Sequence, residues 1–406
     1  MKRLVERLEA LGPWPVALIL GLVAGLLFGW RLGDPAQLMF DEVYYVPAGR
    51  DTFGLVGPSN EEHPLLAKWL IGLSIALFGD TPAGWRALAV LAGSGTVLAL
   101  FAIVYRLLRD TRAAATAALL ATLNQMLFVQ ARIAMLEVFA GFFLFASMAL
   151  LLWGQGRPGR RWLVAAGASF GLAVGAKWSV LPLLPLPGLI ALLGWRARWL
   201  EAGLSFGSAA ALAYLATFLP ALLYTTDALK LDTVLGWQAH MFELQTRPLA
   251  RHTYQSTPWQ WPLMTRPIWY LYEPVRGVQR GVFLVGNPAV MWGGLVAVLA
   301  CLWSGLRERK PVLVGVAAAW AYAFGIWLVI PKKIGFFYYY YIPGLILPLA
   351  LAVAFHHGYR SKDRWLPAAF LGLSFALFAW FYPILSALPL PNDRAFERWM
   401  WLSTWP

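Results

Sequence analysis

Charge is what this chain has least of. Only 13% of its 406 residues are Asp, Glu, Lys or Arg, against 60% hydrophobic. A soluble domain carries about 25% charged residues. Too little polar surface exists to cover a water-soluble globule, and the long apolar runs need lipid around them. Cysteine is nearly absent. Cys301 stands alone in an apolar run, which excludes a disulfide framework and any multi-cysteine metal site. Nucleotide and hydrolase signatures are also missing: no Walker-type glycine loop, dinucleotide fingerprint, His-Glu-x-x-His pair or Gly-x-Ser-x-Gly elbow occurs. A membrane enzyme without a nucleotide site must use a substrate that is already activated, such as a lipid-linked sugar phosphate.

The net charge of +13 is not a nucleic-acid signal here. A span needs about 20 mostly apolar residues. The spacing predicts an all-α polytopic protein with about eleven spans, near 14–32, 84–105, 113–130, 134–153, 162–176, 178–194, 202–224, 285–305, 312–330, 337–355 and 365–385. The first run follows Lys2, Arg3 and Arg7 without a clear cleavage site and reads as a retained span. About half of the 33 basic residues cluster in short alternate segments: these three; Arg106, Arg109 and Arg112; Arg157, Arg160 and Arg161; Arg196 and Arg198; Arg307, Arg309 and Lys310; Arg360, Lys362 and Arg364. That asymmetry predicts a cytoplasmic N-terminus and an outer C-terminus. Leu65–Phe78 is apolar but short for a span, so it is expected as an interfacial or re-entrant helix in a first outer loop at 33–83. The organisation expected is a catalytic membrane module over 1–224, a long extracytoplasmic loop over 225–284 and a C-terminal membrane module over 285–406.

Candidate chemistry lies on the outer side. Asp41 and Glu42 are adjacent carboxylates just after the first span. Desolvation and a neighbouring acid can raise a carboxyl pKa into the range of a general base. Glu61, Glu62, His63 and Lys68 follow, the last able to snorkel to the interface. The two acids and the imidazole would suit a divalent ion, but no metal or cofactor is assigned. Arg86, Arg132 and Lys177 are isolated cations at the outer ends of spans, Arg132 and Glu137 sharing one tight turn. Charges at such depth are costly and usually face a protein cavity. Each alone reads equally well as an ion pair or an anchor. Their convergence on one side points to a site for an anionic headgroup. The aromatics of the second loop, read alone, are interfacial anchors. Gly21, Gly25 and Gly29 form a small-residue stripe suited to close helix packing.

At these motifs the chain resembles the protein O-mannosyltransferase family, within the GT-C superfamily of polyprenyl-phosphate-sugar-dependent transferases. The family's Phe-Asp-Glu motif, with the Tyr or His that follows it, matches Phe40 to Tyr44. Its His-Pro-Pro-Leu-x-Lys motif matches His63 to Lys68, with Leu65 in place of the second proline. Arg86 matches an arginine at the start of span two, and Ala131 to Glu137 a motif that usually ends in Asp. Ala176-Lys177-Trp178 is similar to a Ser-Lys-Trp turn. The stretch from His252 through Tyr254 and Trp259 to Pro262, then Arg266-Pro267 and Gly286-Asn287-Pro288, is similar to bacterial members. The order and spacing of these motifs carry the resemblance.

The resemblance implies a GT-C fold and inverting transfer of mannose from polyprenyl-phosphate mannose to Ser or Thr hydroxyls of a secreted or membrane protein. It implies Asp41 as the catalytic base, Glu42 as its close partner and Arg86 as a contact to the donor phosphate, with Lys68, Arg132 and Lys177 as further candidate phosphate contacts. His63, Glu62, Glu137, His252, Tyr254 and Trp259 are the expected substrate and loop residues. A bacterial inner membrane is the expected location, with the site on the extracytoplasmic face. A second outer loop of about 60 residues has no room for the β-trefoil domain of eukaryotic members. Rival readings are a GT-C transferase with a lipid or glycan acceptor, a transporter, and an inactive scaffold subunit. No internal repeat of the kind transporters show is visible.

Overall fold

A computed structural model describes residues 11–248, 250–330, 334–358 and 365–405. Lys2, Arg3 and Arg7, and the loop cations Arg360, Lys362 and Arg364, lie outside the described residues. The helices are α1 (Pro13–Gly29), α2 (Glu42–Phe53), α3 (Leu66–Phe78), α4 (Pro82–Leu108), α5 (Thr111–Thr122), α6 (Gln125–Gln130), α7 (Leu136–Gly154), α8 (Arg161–Ala176), α9 (Pro185–Gly194), α10 (Trp199–Ala216), α11 (Val234–Thr246), α12 (Pro288–Arg307), α13 (Pro311–Val329), α14 (Tyr341–Gly358) and α15 (Trp365–Leu385). Several begin on proline, whose fixed φ and missing N–H suit the first helical turn.

Each of the expected spans falls on helix. Among the described residues, 7 helical stretches are long and apolar enough to cross a membrane: Pro82–Leu108, Leu136–Gly154, Arg196–Leu223, Pro288–Arg307, Pro311–Val329, Phe337–Gly358 and Trp365–Leu385. Pro13–Gly29, Arg161–Ala176 and Trp178–Gly194 are apolar but shorter. The run expected at 113–130 is broken into α5 and α6 at Leu123–Asn124. The Asn124 side chain accepts from the Met126 N–H at 3.1 Å and restarts the helix. Leu66–Phe78 is a separate 13-residue helix.

Contacts divide the chain into two compact units, each drawn from separate segments. The first comprises residues 1–28, 97–129 and 251–406. In it Gly21 meets Leu98, and Asn287 caps α12 while its amide donates to the carbonyls of Leu123 (3.0 Å) and Ser374 (2.8 Å). The Gly286-Asn287-Pro288 motif is thus a helix start that also ties neighbouring helices. This unit holds a β hairpin that the sequence reading did not place, β1 (Ile268–Val275) paired antiparallel with β2 (Val278–Leu284). Arg276 and Gly277 turn it with φ of 52° and 78°. Positive φ at both turn residues matches the right-handed twist of the strands.

The second unit comprises residues 29–96 and 130–250. Its α8 and α10 approach closely through Gly167, Gly171 and Gly175. A methyl group at the first two would strike the carbonyls of Phe206 and Ala210, and at the third the Thr217 side chain. That spacing of four residues is the small-residue stripe that brings helices together without bulk between them. α2 and α3 meet in the same way, at Gly49 and Gly72. These two contacts set the floor on which the acidic and basic side chains of this unit are placed.

Candidate active site

Asp41 and Glu42 are neighbours in sequence but not in environment. Phe40, at φ 49°, turns the chain into α2, and Asp41 stands at the helix N-cap. The left-handed conformation is uncommon for a bulky residue and marks a locally constrained backbone. Glu42 points inward and has no exposed surface. Its Oε1 accepts from Arg86 Nε (2.7 Å) and the Ala134 N–H (2.9 Å); its Oε2 accepts from Arg86 Nη2 (2.7 Å) and the Met39 N–H (3.1 Å). Asp41 remains half-buried, with the Tyr45 hydroxyl donating to its Oδ2 at 3.4 Å. Burial pushes the Asp41 pKa up to about 6. The Lys177 charge opposes this, Glu137 adds to it, the Tyr45 hydrogen bond opposes it and Glu62 adds to it. Asp41 is therefore the carboxylate of this pair with surface to meet a substrate and a pKa suited to moving a proton.

Arg86 is committed within the protein. Beyond Glu42, its Nη1 donates to the carbonyls of Leu32 (3.2 Å) and Pro35 (2.9 Å), and its Nη2 to Gln37 (3.0 Å). A guanidinium has five N–H donors in a rigid fork, and these bonds use all five. It has no exposed surface. It thus stitches the 32–42 loop to the start of α4. Lys68 plays the matching part for the next loop: Nζ donates to the carbonyls of Ser59 (3.0 Å), Asn60 (2.8 Å) and His63 (2.9 Å). It too is fully buried, which excludes snorkelling.

Of the remaining cations, Lys177 is the one whose charge acts on Asp41. Lys177, at the end of α8, is paired with Glu137, at the start of α7, and both are almost wholly buried. The second Glu137 oxygen, Oε2, has no hydrogen-bond partner among the described residues. Arg132 donates to the carbonyls of Trp30 (2.5 Å) and Arg31 (3.1 Å). The 59–63 loop is held from α11. Glu61 pairs with His240 Nε2 at 2.7 Å, and the Glu62 carbonyl accepts from Gln245 at 2.7 Å. The Glu62 carboxylate accepts from Asn60 at 2.6 Å, and the His63 ring lies edge-on to Tyr45 at 5.8 Å. Trp178 donates to the Tyr214 hydroxyl at 2.7 Å, which donates in turn to Gln238 of α11. Among the described residues, no three His, Cys, Asp or Glu side chains gather as a metal-binding group.

So the second unit brings together Asp41, Glu42, Glu62, His63, Lys68, Arg86, Arg132, Glu137 and Lys177, which span more than 130 positions of sequence. His252, Tyr254 and Trp259 belong to the other unit. There Trp259 is exposed beside a cleft of about 450 Å³ that also involves Gln255, Gln260, Trp261 and Trp327. Sequence reading missed Tyr45, Tyr214, Gln238, His240 and Gln245. Tyr45 had a signal: it stands four residues past Asp41, about one helical turn on. The α11 residues had none, because their partners lie far away in sequence.

Two family models match the chain: dolichyl-phosphate-mannose-protein mannosyltransferase over residues 82–228, and the C-terminal four-transmembrane region of protein O-mannosyltransferase over 230–405. The polyprenol-phosphate-mannose–protein mannosyltransferase of Mycobacterium tuberculosis is 26% identical, over 98% of this chain and 93% of its own length. Among solved structures, the S. cerevisiae Pmt1–Pmt2 complex bound to the sugar donor has the same fold, with a TM-score of 0.81 at 13% identity, covering 97% of this chain and 92% of that one. ArnT from Cupriavidus metallidurans, bound to undecaprenyl phosphate, aligns with a TM-score of 0.56 at 20% identity over 89% of this chain and 63% of that one. With its apolar helices, its fold and both matched regions in agreement, the chain belongs to the protein O-mannosyltransferase family, integral-membrane glycosyltransferases of GT-C architecture.

Proposed function

We propose that this enzyme transfers mannose, with inversion, from a polyprenyl-phosphate carrier to Ser or Thr hydroxyls of proteins, on the extracytoplasmic face of a bacterial inner membrane. The observation that carries the reading is Asp41: a half-buried carboxylate with its pKa raised to about 6, with the charges of Lys177, Glu137 and Glu62 acting on it. The names of the relatives support the donor and the acceptor class. The alternating clusters of Lys and Arg support eleven spans with the N-terminus inside, which puts the 33–83 and 225–284 loops and Asp41 outside.

In this mechanism the acceptor oxygen attacks the anomeric carbon while Asp41 takes its proton. The bond from that carbon to the phosphate oxygen breaks, and polyprenyl phosphate leaves with the electron pair. A phosphodiester needs little acid help but does need its charge neutralised as it departs. Lys177 and Arg132 are assigned to that task. Arg86 and Lys68 are reassigned as positioning residues, because every donor each offers is already bonded within the protein. Glu42 likewise positions the loop through Arg86 and does not touch substrate. His252, Tyr254 and Trp259 are proposed to act on the acceptor side.

The test incubates membranes containing the protein with labelled polyprenyl-phosphate mannose and Ser/Thr-rich peptides. Label on the peptide is expected. Label that moves only to lipid or glycan would replace the protein acceptor with a lipid or glycan one.

A further inference from the structure

Helix α11 has two unlike faces. Val234, Trp237 and Met241 pack against Leu65, Phe218, Ala221, Tyr224 and Leu229. At about 100° per residue, Leu235, Ala239 and Phe242 share a second stripe, turned away from the packed one, and Leu231 precedes it in the turn that leads into the helix. Leu231 is 79% exposed, Leu235 71% and Phe242 63%. One exposed leucine needs no explanation, but large apolar side chains aligned on one helix face do.

The neighbouring chain says what covers them. Arg196–Leu223 is the least buried of the seven membrane-crossing stretches, at 17%. Its Leu212, Leu219 and Leu223 are exposed, as side chains that face lipid must be. The Leu229 N–H donates to the Ala221 carbonyl at 2.9 Å, which fastens the approach to α11 onto the end of that stretch. The lipid-facing wall thereby continues through the exposed Leu231 into the Leu235–Phe242 stripe. Lys230 and Arg247, exposed at the two ends of α11, suit lipid phosphates.

We propose that α11 is an interfacial helix whose Leu235–Phe242 face, with Leu231 in the turn before it, is seated in membrane lipid. Its other side holds the loop beside Asp41, through His240 to Glu61 and Gln245 to Glu62. Seating in lipid thus fixes the position of that loop.

Cys301 is buried and is the chain's one cysteine, so Cys301→Ala provides a clean background. Leu235→Cys, Phe242→Cys and, as an off-stripe control, Glu243→Cys are labelled with a fluorophore in the full-length protein in nanodiscs. Size exclusion selects the folded protein. Shallow nitroxide lipids are expected to quench the labels at 235 and 242, and aqueous iodide the label at 243. Iodide quenching all three alike, with none from lipid, would place the face in water and overturn the proposal. Excimer emission from pyrene at 235 that grows with protein copies per disc would assign the face to a second copy and also overturn it. Neither readout depends on catalysis, so this result stands apart from the assignment of Asp41.

Discussion

Two adjacent carboxylates, Asp41 and Glu42, have opposite fates because one faces a guanidinium and the other a partly open surface. The raised pKa of Asp41 makes transfer pH-dependent in a definite direction. The base is ionised above about 6, so the rate should fall as pH drops through that value. Tyr45→Phe removes a hydrogen bond that favours the ionised form, and a neutral hydrogen bond contributes about 0.5–1.5 kcal/mol. The acidic limb of the transfer–pH profile should therefore move upward by up to about one unit. An unchanged profile in an active Tyr45→Phe enzyme would remove Tyr45 from the site. The raised pKa also bears on stability. A carboxyl whose folded pKa lies above its unfolded value is most favourable to folding at low pH, and loses that contribution as pH rises through about 6. At neutral pH, Asp41→Asn should therefore unfold at an equal or higher temperature than wild type.

Arg86 belongs to the same scale. Removing one partner of a buried ion pair costs about 3–5 kcal/mol. Arg86→Ala and Glu42→Gln should each lower the unfolding temperature in detergent, and any loss of donor binding should accompany that fall. An Arg86→Ala protein of wild-type stability with a selective loss of donor affinity would return Arg86 to the phosphate. The resemblance cast Arg86 as a phosphate contact and Glu42 as the partner of the base, because an exposed contact and a saturated internal one look alike in one dimension.

At the scale of elements, hydropathy located the apolar helices; among the described residues 7 are long enough to cross a membrane, and Leu66–Phe78 falls with three of the expected spans among the shorter ones. The break at Leu123–Asn124 was passed over because the flanking residues are apolar on both sides, although the polar pair Asn124-Gln125 interrupts the run there. Gly21, Gly25 and Gly29 were singled out, while the closest approaches to the backbone of another helix lie at Gly167, Gly171 and Gly72. Glycine spacing marks a helix that can pack closely and does not say which partner arrives. Gly171→Val would drive a side chain into the Ala210 carbonyl. Overpacking of this kind costs about 1–3 kcal/mol. Thermal unfolding should register that loss, whereas Gly207→Ala, on α10 with open space around it, should have no effect.

For the whole molecule, the two compact units interleave along the chain, and all the acid and cation motifs from Asp41 to Lys177 fall within one of them. The His252–Trp259 stretch falls within the other, although order along the chain gave no sign of that division. Composition settled the membrane class, because a chain with 13% charged residues has few other ways to stay folded. Motif order carried the family. The network from α11 to the 59–63 loop joins positions about 180 residues apart, a link that only the folded chain reveals.

The measurement that bears most directly on this account compares Asp41→Asn with wild type in one preparation, recording both the binding of labelled polyprenyl-phosphate mannose and its transfer to peptide. General-base catalysis contributes about 10²–10⁴-fold. The account predicts donor binding close to wild type with transfer reduced by about that factor. Near-normal transfer by Asp41→Asn would contradict it and send the search for the base elsewhere in the protein.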